Sequence, residues 1–279
     1  ATHIVEAPEA DPRGHCAAGD VNGDGFDDLW MCTPSGFNES GVLRHGSAGG
    51  LLSTGWTYTS PTDYARVARA GDVNGDGFDD LLFGMLEMDV VGASTGTIAL
   101  FLGGPSAPTL AWTYADPDVG LVVNDFVGAG DFDQDGFDDL VFGADLDRLL
   151  VFHGASPAPA SVPDRVLTTP FFSSFGNLMG GSRVLPLGDV DGDGSPEILV
   201  SGLSCPPAEA ETWFVLRGSA AGPRLSPSWA HPLAWFGAVS SPAGDLDGDG
   251  RLDLVFGAYD TDLRDGADGG SITVFPGLP

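Results

Sequence analysis

The acidic segment Asp20-Val-Asn-Gly-Asp-Gly-Phe-Asp-Asp28 decides the fold because closely similar segments recur along the chain. Their first residues are separated by 52, 59, 58 and 56 positions, and this regular spacing indicates one structural unit used five times. We call these segments the five acidic loops, at residues 20–28, 72–80, 131–139, 189–197 and 245–253, and number their positions 1 to 9. The other four read Asp72-Val-Asn-Gly-Asp-Gly-Phe-Asp-Asp80, Asp131-Phe-Asp-Gln-Asp-Gly-Phe-Asp-Asp139, Asp189-Val-Asp-Gly-Asp-Gly-Ser-Pro-Glu197 and Asp245-Leu-Asp-Gly-Asp-Gly-Arg-Leu-Asp253.

Short apolar runs follow each acidic loop at matching positions. After the first loop they are Leu29 to Cys32, Val42 to Gly46 and Trp56 to Tyr58. Runs of this length, rich in Val, Leu, Phe and Trp and bounded by Gly and Pro, are typical of β-strands. A further strand leads into each loop, as at Val122 to Val127 or Ala234 to Val239, so we expect four strands in every unit.

Four-stranded units with a period near 56 residues are typical of propeller blades. The sequence therefore predicts an all-β fold, with residues 1–279 forming a single domain, a five-bladed β-propeller of four-stranded antiparallel blades. The first predicted strand of the chain matches the fourth strand of the other units, and the last predicted strand matches their third. We expect the N-terminal strand, at about residues 2 to 7, to join the last blade, close the ring and cover its open edges.

The composition limits the classes of partner. The chain has 40 Asp and Glu against 11 Arg and no Lys, and its formal net charge is −29. It would repel the phosphates of nucleic acids and of anionic lipids, so we expect no nucleic-acid partner. No apolar run approaches the roughly 18 to 20 residues of a membrane span, so we expect no direct membrane insertion. A hydrophobic content of 42%, with 17 Phe, provides a core and excludes a disordered chain.

The acidic loops have the composition of calcium sites. Each places oxygen-bearing side chains at positions 1, 3, 5 and 9 and Gly at position 6, and the backbone carbonyl at position 7 adds another oxygen. Hard oxygen ligands with three or four negative charges suit Ca²⁺ better than zinc or copper, and Mg²⁺ prefers to keep several waters. We therefore expect about five Ca²⁺ ions. The predicted ligands are Asp20, Asn22, Asp24, Phe26 and Asp28; Asp72, Asn74, Asp76, Phe78 and Asp80; Asp131, Asp133, Asp135, Phe137 and Asp139; Asp189, Asp191, Asp193, Ser195 and Glu197; and Asp245, Asp247, Asp249, Arg251 and Asp253.

Two other readings compete with a calcium hairpin. An EF-hand opens with the same pattern, but it carries a bidentate Glu at position 12, which is apolar in all five units. Plain turn chemistry is the second competitor, because Asn, Asp and Gly dominate turns. Three or more carboxylates in every loop would repel one another without a cation, which favours the metal site. The five residues at position 12 are Met31, Phe83, Phe142, Val200 and Phe256.

The repeats resemble those of the FG-GAP repeat proteins, typified by the β-propeller of integrin α subunits. Trp235-Phe-Gly237 precedes Gly244-Asp245, Leu254-Val-Phe-Gly-Ala258 follows the fifth loop, Phe175-Gly176 is a looser copy of the lead-in, and Phe142-Gly-Ala144 matches the trailing element. The resemblance covers essentially the whole chain. It implies calcium in the hairpin between the first two strands of a blade and an extracellular or cell-surface setting. Integrin heads have seven blades with calcium in only some, so their ligand-binding geometry is not carried over.

A rigid propeller usually binds ligands through its loops, and those opposite the calcium hairpins carry aromatic residues. We expect a monomeric, calcium-stabilised recognition or adhesion module with a protein or glycan ligand. The alternative is a structural spacer, or an accessory propeller of a larger surface protein or secreted enzyme. No nucleophile and base are paired at a recognisable spacing, so we expect no intrinsic catalysis. The candidate ligand-binding residues are Tyr64, Phe171, Trp235 and Tyr259.

Several cysteine, histidine and aromatic residues lie in or beside the predicted strands, where we expect structural roles. Cys16 lies four residues before the first loop and Cys32 four after it, so the two either form a disulfide across the hairpin or remain thiols. His45 and His153 each precede a Gly at the end of a third strand, where we expect a packing role. The Trp-Thr-Tyr segments at 56–58 and 112–114 recur at equal positions in their units, which favours blade packing over a sugar-binding platform.

Overall fold

The structure is a computed structural model that describes residues 15–33, 40–53, 55–59, 64–88, 94–115, 123–144, 148–168, 184–203, 211–220, 229–233, 239–258, 262–263, 267–268 and 271–276. These residues form β-strands, turns and irregular segments, and no helix occurs among them. Accordingly, this part of the chain offers no helix long and apolar enough to cross a membrane. The predicted all-β class is confirmed.

Each acidic loop belongs to its own antiparallel sheet, and strands follow one another in sequence order within the sheet. The first sheet contains β1 (His15–Gly19), β2 (Asp28–Thr33), β3 (Ser40–Arg44) and β4 (Gly55–Thr59). The second contains β5 (Tyr64–Gly71), β6 (Asp80–Met88), β7 (Ser94–Leu102) and β8 (Thr109–Ala115), and the third β9 (Val123–Gly130), β10 (Asp139–Ala144), β11 (Arg148–Phe152) and β12 (Arg165–Thr168).

The fourth sheet is also four-stranded, whereas three strands are described in the fifth. The fourth contains β13 (Val184–Gly188), β14 (Glu197–Leu203), β15 (Glu211–Arg217) and β16 (Trp229–Leu233). The fifth contains β17 (Val239–Gly244), β18 (Asp253–Ala258) and β21 (Ser271–Phe275), and β19 (Asp262–Leu263) pairs with β20 (Ala267–Asp268) in a separate hairpin.

A β-bulge introduces every acidic loop. In the first sheet the pairing runs from Ala17 opposite Leu29 to Gly19 opposite Asp28, so one residue of β1 is left over. Gly19 has a φ of 77°, a left-handed conformation that glycine adopts without steric cost. The bulge turns the chain out of the sheet and places position 9 of the loop directly opposite a glycine. The equivalent glycines, all with positive φ, are Gly71, Gly130, Gly188 and Gly244.

The core lies between neighbouring sheets, which pack face to face. The strands that lead into the loops are adjacent, with β1 beside β5, β5 beside β9 and β9 beside β13. Side chains alternate along each strand, so one face of an inner sheet contacts the preceding sheet and the other face contacts the following one. Trp30 of the first sheet, for example, meets Phe83 of the second edge to face, with ring centroids 5.1 Å apart.

The repeated Trp and Tyr residues pack within this core, as the sequence predicts. Trp112 and Tyr114 stack in parallel with centroids 5.9 Å apart, and Phe152 of the third sheet lies 4.9 Å from the Tyr114 ring. Trp56 and Tyr58 pack in the same way against the cluster between the first and second sheets. The rings therefore join neighbouring sheets.

The two outermost sheet faces are less covered than the inner ones. Ile272 and Val274 of β21 are 77% and 45% exposed, whereas Leu100 and Val151 on other third strands are fully buried. Leu254, Phe256 and Phe275 of the fifth sheet contact the fourth sheet, so Ile272 and Val274 project from the opposite face. On the first sheet the face opposite Trp30 carries Leu29 and Met31, which are half-buried. We call these two surfaces the terminal faces.

Strand boundaries differ from the predicted ones next to the loops. β9 and β17 extend to Gly130 and Gly244, whereas the sequence ended the lead-in strands at Val127 and Val239. Gly128 on β9 and Ser240, Ser241 and Pro242 on β17 continue the pairing up to the bulge, because backbone pairing does not require an apolar side chain. The predicted strand at about residues 2 to 7 lies outside the described residues, so its pairing with the last sheet remains a prediction.

Cys16 and Cys32 are thiols in the structure and lie on the same side of the first sheet. Cys16 is opposite Trp30, and Cys32 is two residues further along β2. Burial raises the pKa of Cys16 to about 12, with a further increase from Cys32. The register places Cys16 two residues away from a position opposite Cys32, so the two cysteines are not direct cross-strand partners. Their disulfide remains a prediction.

Candidate metal centres

The carboxylate at position 1 organises each acidic loop. Asp20 accepts hydrogen bonds from the backbone N–H of Asp24 at 3.0 Å and of Gly25 at 2.7 Å, one on each oxygen. These bonds bend the loop around the carboxylate, so that the side chains of positions 1, 3 and 5 share one side of the turn. In the other loops the N–H at position 6 donates to the same oxygen of Asp72, Asp131, Asp189 and Asp245.

Positions 3 and 5 continue this pattern along the loop. Asn22 accepts a bond from the N–H of Asp24, and Asp24 accepts one from the N–H of Phe26, each at 3.0 Å. Gly25 at position 6 has a φ of 88°, so the reversal depends on a residue without a Cβ. Each carboxylate or amide oxygen keeps further lone pairs, which leaves it able to bind a cation as well.

The carboxylate at position 9 is buried and connects the loop to the sheet. Asp80 is fully buried, and its two oxygens accept the N–H of Val73 and of Gly103, both at 2.9 Å. Val73 is at position 2 of the loop and Gly103 follows the third strand. The carboxylate at position 9 therefore links the start of the loop to the end of the third strand through hydrogen bonds that need no metal. The equivalent donors are Val21 and Gly46 to Asp28, Phe132 and Gly154 to Asp139, Val190 to Glu197, and Leu246 to Asp253.

Burial makes the charge on these carboxylates unfavourable. It raises the pKa of Asp80 to about 7, although the N–H donors of Gly103 and Val73 oppose the shift. Burial likewise raises the pKa of Glu197 to about 7, and the other loop carboxylates raise it further. It also raises the pKa of Asp139. A cation in the loop would stabilise the ionised form of these side chains.

In the third, fourth and fifth acidic loops, carboxylates converge closely enough to share one ion. Ligand oxygens of Asp189, Asp191 and Glu197 all lie within 4.8 Å of one another, as do those of two other groups. Calcium–oxygen distances of about 2.3 to 2.6 Å allow ligands of one ion to be this far apart. Oε1 of Glu197 and Oδ1 of Asp133 are buried without a hydrogen-bond partner, so both oxygens are available to a cation. The two other carboxylate groups are Asp131, Asp133 and Asp135, and Asp245, Asp247 and Asp253; a fourth group combines Asp133 and Asp139 with His153.

A basic side chain from the third strand reaches three of the loops. Nδ1 of His45 lies 3.0 Å from the carboxylate of Asp28, and Nδ1 of His153 lies 3.0 Å from that of Asp133. Arg217 forms an ion pair with Asp191. From the sequence we predicted a packing role for the two histidines and no role for Arg217, whereas the structure places all three side chains at the loops. All three residues directly precede the glycine that follows the third strand, so an alignment of the units on that glycine would have shown that they occupy equivalent positions.

Neighbouring loops also contact each other through positions 7 and 8. Asp79 accepts the N–H of Asp20 at 2.7 Å, and its own N–H donates to the carbonyl of Asp20 at 3.1 Å. The Phe78 ring covers Gly23, where a Cβ would lie 2.5 Å from Cε1 of the ring. Asp138 and Phe137 repeat these contacts on Asp72 and Gly75. Phe78 and Phe137, predicted as ligands through their carbonyls, thus also join successive loops through their rings.

The predicted ligand-binding residues are mostly outside the described part of the chain. Tyr64 begins β5, opposite Leu86. Phe171, Trp235 and Tyr259 lie outside the described residues, so the ligand face remains a prediction.

Repeated antiparallel sheets with an acidic hairpin between their first two strands define a repeat protein built from β-propeller blades. The model of the FG-GAP-like repeat family matches residues 20–83 and 189–256. Among curated proteins, the chain is 29% identical to integrin alpha-5 of Xenopus laevis over 188 residues, which are 61% of this chain and 17% of that protein.

Two further relatives support the same assignment. Integrin alpha-IIb of Homo sapiens is 34% identical over 155 residues, covering 49% of this chain and 14% of its own length. Integrin alpha-PS2 of Drosophila melanogaster is 26% identical over 215 residues, which are 67% of this chain and 15% of that protein. The chain is therefore similar to integrin α chains and contains FG-GAP-like repeats. The matched regions span only about a sixth of the length of these relatives.

Proposed function

We propose that the chain is a calcium-stabilised extracellular recognition or adhesion module. The observation that carries the proposal is the set of five acidic loops, each wrapped around its position 1 carboxylate and fastened to a sheet by a buried carboxylate at position 9. About five Ca²⁺ ions would be held at the predicted ligands. They would bring ten positive charges to a chain with a net charge of −29, leaving −19.

Ligand binding is assigned to the loops opposite the calcium hairpins. The similarity to integrin α chains supports an adhesion-type role in an extracellular setting with a protein or glycan ligand. Tyr64, Phe171, Trp235 and Tyr259 are the proposed contact residues. The proposed module acts as a monomer and has no catalytic activity of its own. A structural spacer or an accessory propeller of a larger protein is the second candidate.

The ligand face is tested by binding to a panel of secreted proteins and to a glycan array. A variant with Tyr64→Ala, Phe171→Ala, Trp235→Ala and Tyr259→Ala should lose at least about tenfold in affinity for any ligand found, because a few aromatic residues dominate most interfaces. A control with Leu110→Ala and Val166→Ala removes exposed apolar side chains from the outer strands β8 and β12 and should bind normally. Equal loss in both variants, or no binding to either panel, would favour the spacer.

We further propose that the five sheets close into a five-bladed ring. The two terminal faces support closure because each carries apolar side chains at positions that are buried between the other sheets. Ile272 and Val274 would then pack against the side of the first sheet that bears Leu29 and Met31. The segment at residues 2 to 7 would pair with the free edge of β21 and supply the fourth strand of the fifth sheet.

Deleting residues 1–8 should lower the thermal midpoint by about 5 °C, because the edge strand and part of the closing interface are lost. Calorimetry in excess calcium measures the change. Replacing the same residues with a Gly-Ser segment of equal length should have the same effect, since this control keeps the chain length but not the strand pattern. An unchanged midpoint in both chains would show that this segment does not close the ring.

A further inference from the structure

The residue opposite position 9 on the third strand differs from loop to loop. Arg217 pairs directly with Glu197 in the sheet register. In the second unit Leu81 pairs with Phe101, so the next residues, Asp80 and Leu102, lie opposite each other. In the third unit Leu140 pairs with Phe152, so Asp139 lies opposite His153. The same place is held by His45 in the first unit and Pro276 in the fifth. The fourth unit alone has a permanently charged residue here, since arginine stays protonated at every physiological pH.

Arg217 competes for an oxygen that the metal needs. Its Nη1 donates to Oδ2 of Asp191, and Asp191 is one of the three side chains, with Asp189 and Glu197, whose oxygens converge in the fourth loop. A Ca²⁺ ion bound there would face the guanidinium at close range and would have to displace it from Asp191. The backbone register keeps Arg217 beside the loop, so the competing cation is present at all times.

We propose that Arg217 is an affinity-setting residue that makes the fourth acidic loop fill with calcium after the second. The inference rests on the proposed calcium function and concerns the order of occupancy. The fourth loop has four carboxylates, whereas the second has three and an asparagine, so ligand charge alone would make the fourth the tighter site. The arginine reverses that order. At low calcium it neutralises part of the fourth loop, and at high calcium it yields Asp191 to the ion.

The experiment is a calcium titration that resolves individual loops. The N–H of Gly194 donates to Asp189 in the fourth loop, and that of Gly77 donates to Asp72 in the second, so the two amide signals report equivalent hydrogen bonds. In ¹H–¹⁵N spectra of the wild-type protein, Gly194 should reach its midpoint at a higher calcium concentration than Gly77. Arg217→Leu, which installs the residue of the second unit, should lower the Gly194 midpoint about three- to tenfold and leave Gly77 unchanged.

The control is Arg165→Leu, which removes the same charge from an exposed position on β12. It should leave both midpoints unchanged. Arg217→Gln, which keeps a polar side chain, should repeat the effect of Arg217→Leu if the leucine variant folds poorly. A Gly194 midpoint unmoved by either Arg217 variant, or moved equally by Arg165→Leu, would overturn the role of Arg217. If neither glycine responds to calcium in the wild-type protein, the proposed calcium function fails together with the inference.

Discussion

Chelation of calcium should lower the thermal midpoint of the protein by about 20 °C or more. A ligand that binds only the folded state contributes about 2.7 kcal/mol per site at a hundred times its dissociation constant, so five loops would together contribute more than about 10 kcal/mol. For a chain of this size each kcal/mol corresponds to roughly 2 to 4 °C. The third, fourth and fifth loops show the physical reason most directly, because their carboxylates are held close together and repel one another when no cation is bound.

Differential scanning calorimetry in excess EDTA and again after restoring calcium measures this effect. Magnesium is the matched control, since it has the same charge but prefers to keep its water ligands, and it should restore only a small part of the midpoint. A metal-content measurement should give about five Ca²⁺ per chain. Equal midpoints with and without EDTA, together with no heat of calcium binding to the decalcified protein, would contradict the calcium function.

Asp80→Asn should destabilise the protein by about 2 to 4 kcal/mol even in the presence of EDTA. Both oxygens of Asp80 accept backbone N–H groups in a fully buried position, and an amide replaces one of these acceptors with a donor. A buried N–H facing another donor costs about 1 to 3 kcal/mol, and a weaker bond to the remaining oxygen adds to the cost. Urea unfolding at pH 8, above the raised pKa of Asp80, measures the difference.

The matched control is Asp76→Asn in the same loop. Asp76 is exposed, the oxygen that accepts the N–H of Phe78 is retained in asparagine, and the bond lost from Nδ2 of Asn74 to the other oxygen lies where water can replace it. In EDTA this variant should unfold within about 0.5 kcal/mol of the wild type, and it should lose stability only when calcium is present. If Asp80→Asn behaved like Asp76→Asn in EDTA, the buried carboxylate would be a metal ligand without the structural role described above.

Most of the fold and the position of the candidate sites could be predicted from the sequence, because both depend on local pattern. The repeat of Asp20 to Asp28 fixed the number of sheets, and the flanking apolar runs predicted strands on both sides of each loop. The turn chemistry of Gly, Asp and Asn is also local, so the wrapped shape of the loops followed from their composition.

The features that the sequence reading missed depend on which residues lie opposite each other. Arg217 contacts Asp191 because β14 pairs with β15, and the sequence of the loop alone does not predict that contact. Asp79 and Asp138 are not among the predicted ligands, yet each accepts an N–H from the preceding loop. The two-residue offset of Cys16 from Cys32 comes from the pairing of Gly19 with Asp28 together with the one-residue bulge, which counting along the chain does not reveal.

Because neighbouring loops contact each other, we expect the proposed calcium uptake to be cooperative. Asp79 accepts the N–H of Asp20 and donates to its carbonyl, and the next residue, Asp80, is a proposed ligand of the second loop. An ion that orders one loop therefore also orders part of its neighbour, and the neighbour loses less conformational freedom when its own ion arrives. The first three loops, joined by Phe78, Asp79, Phe137 and Asp138, should accordingly fill together over a narrow calcium range, with a Hill coefficient above one.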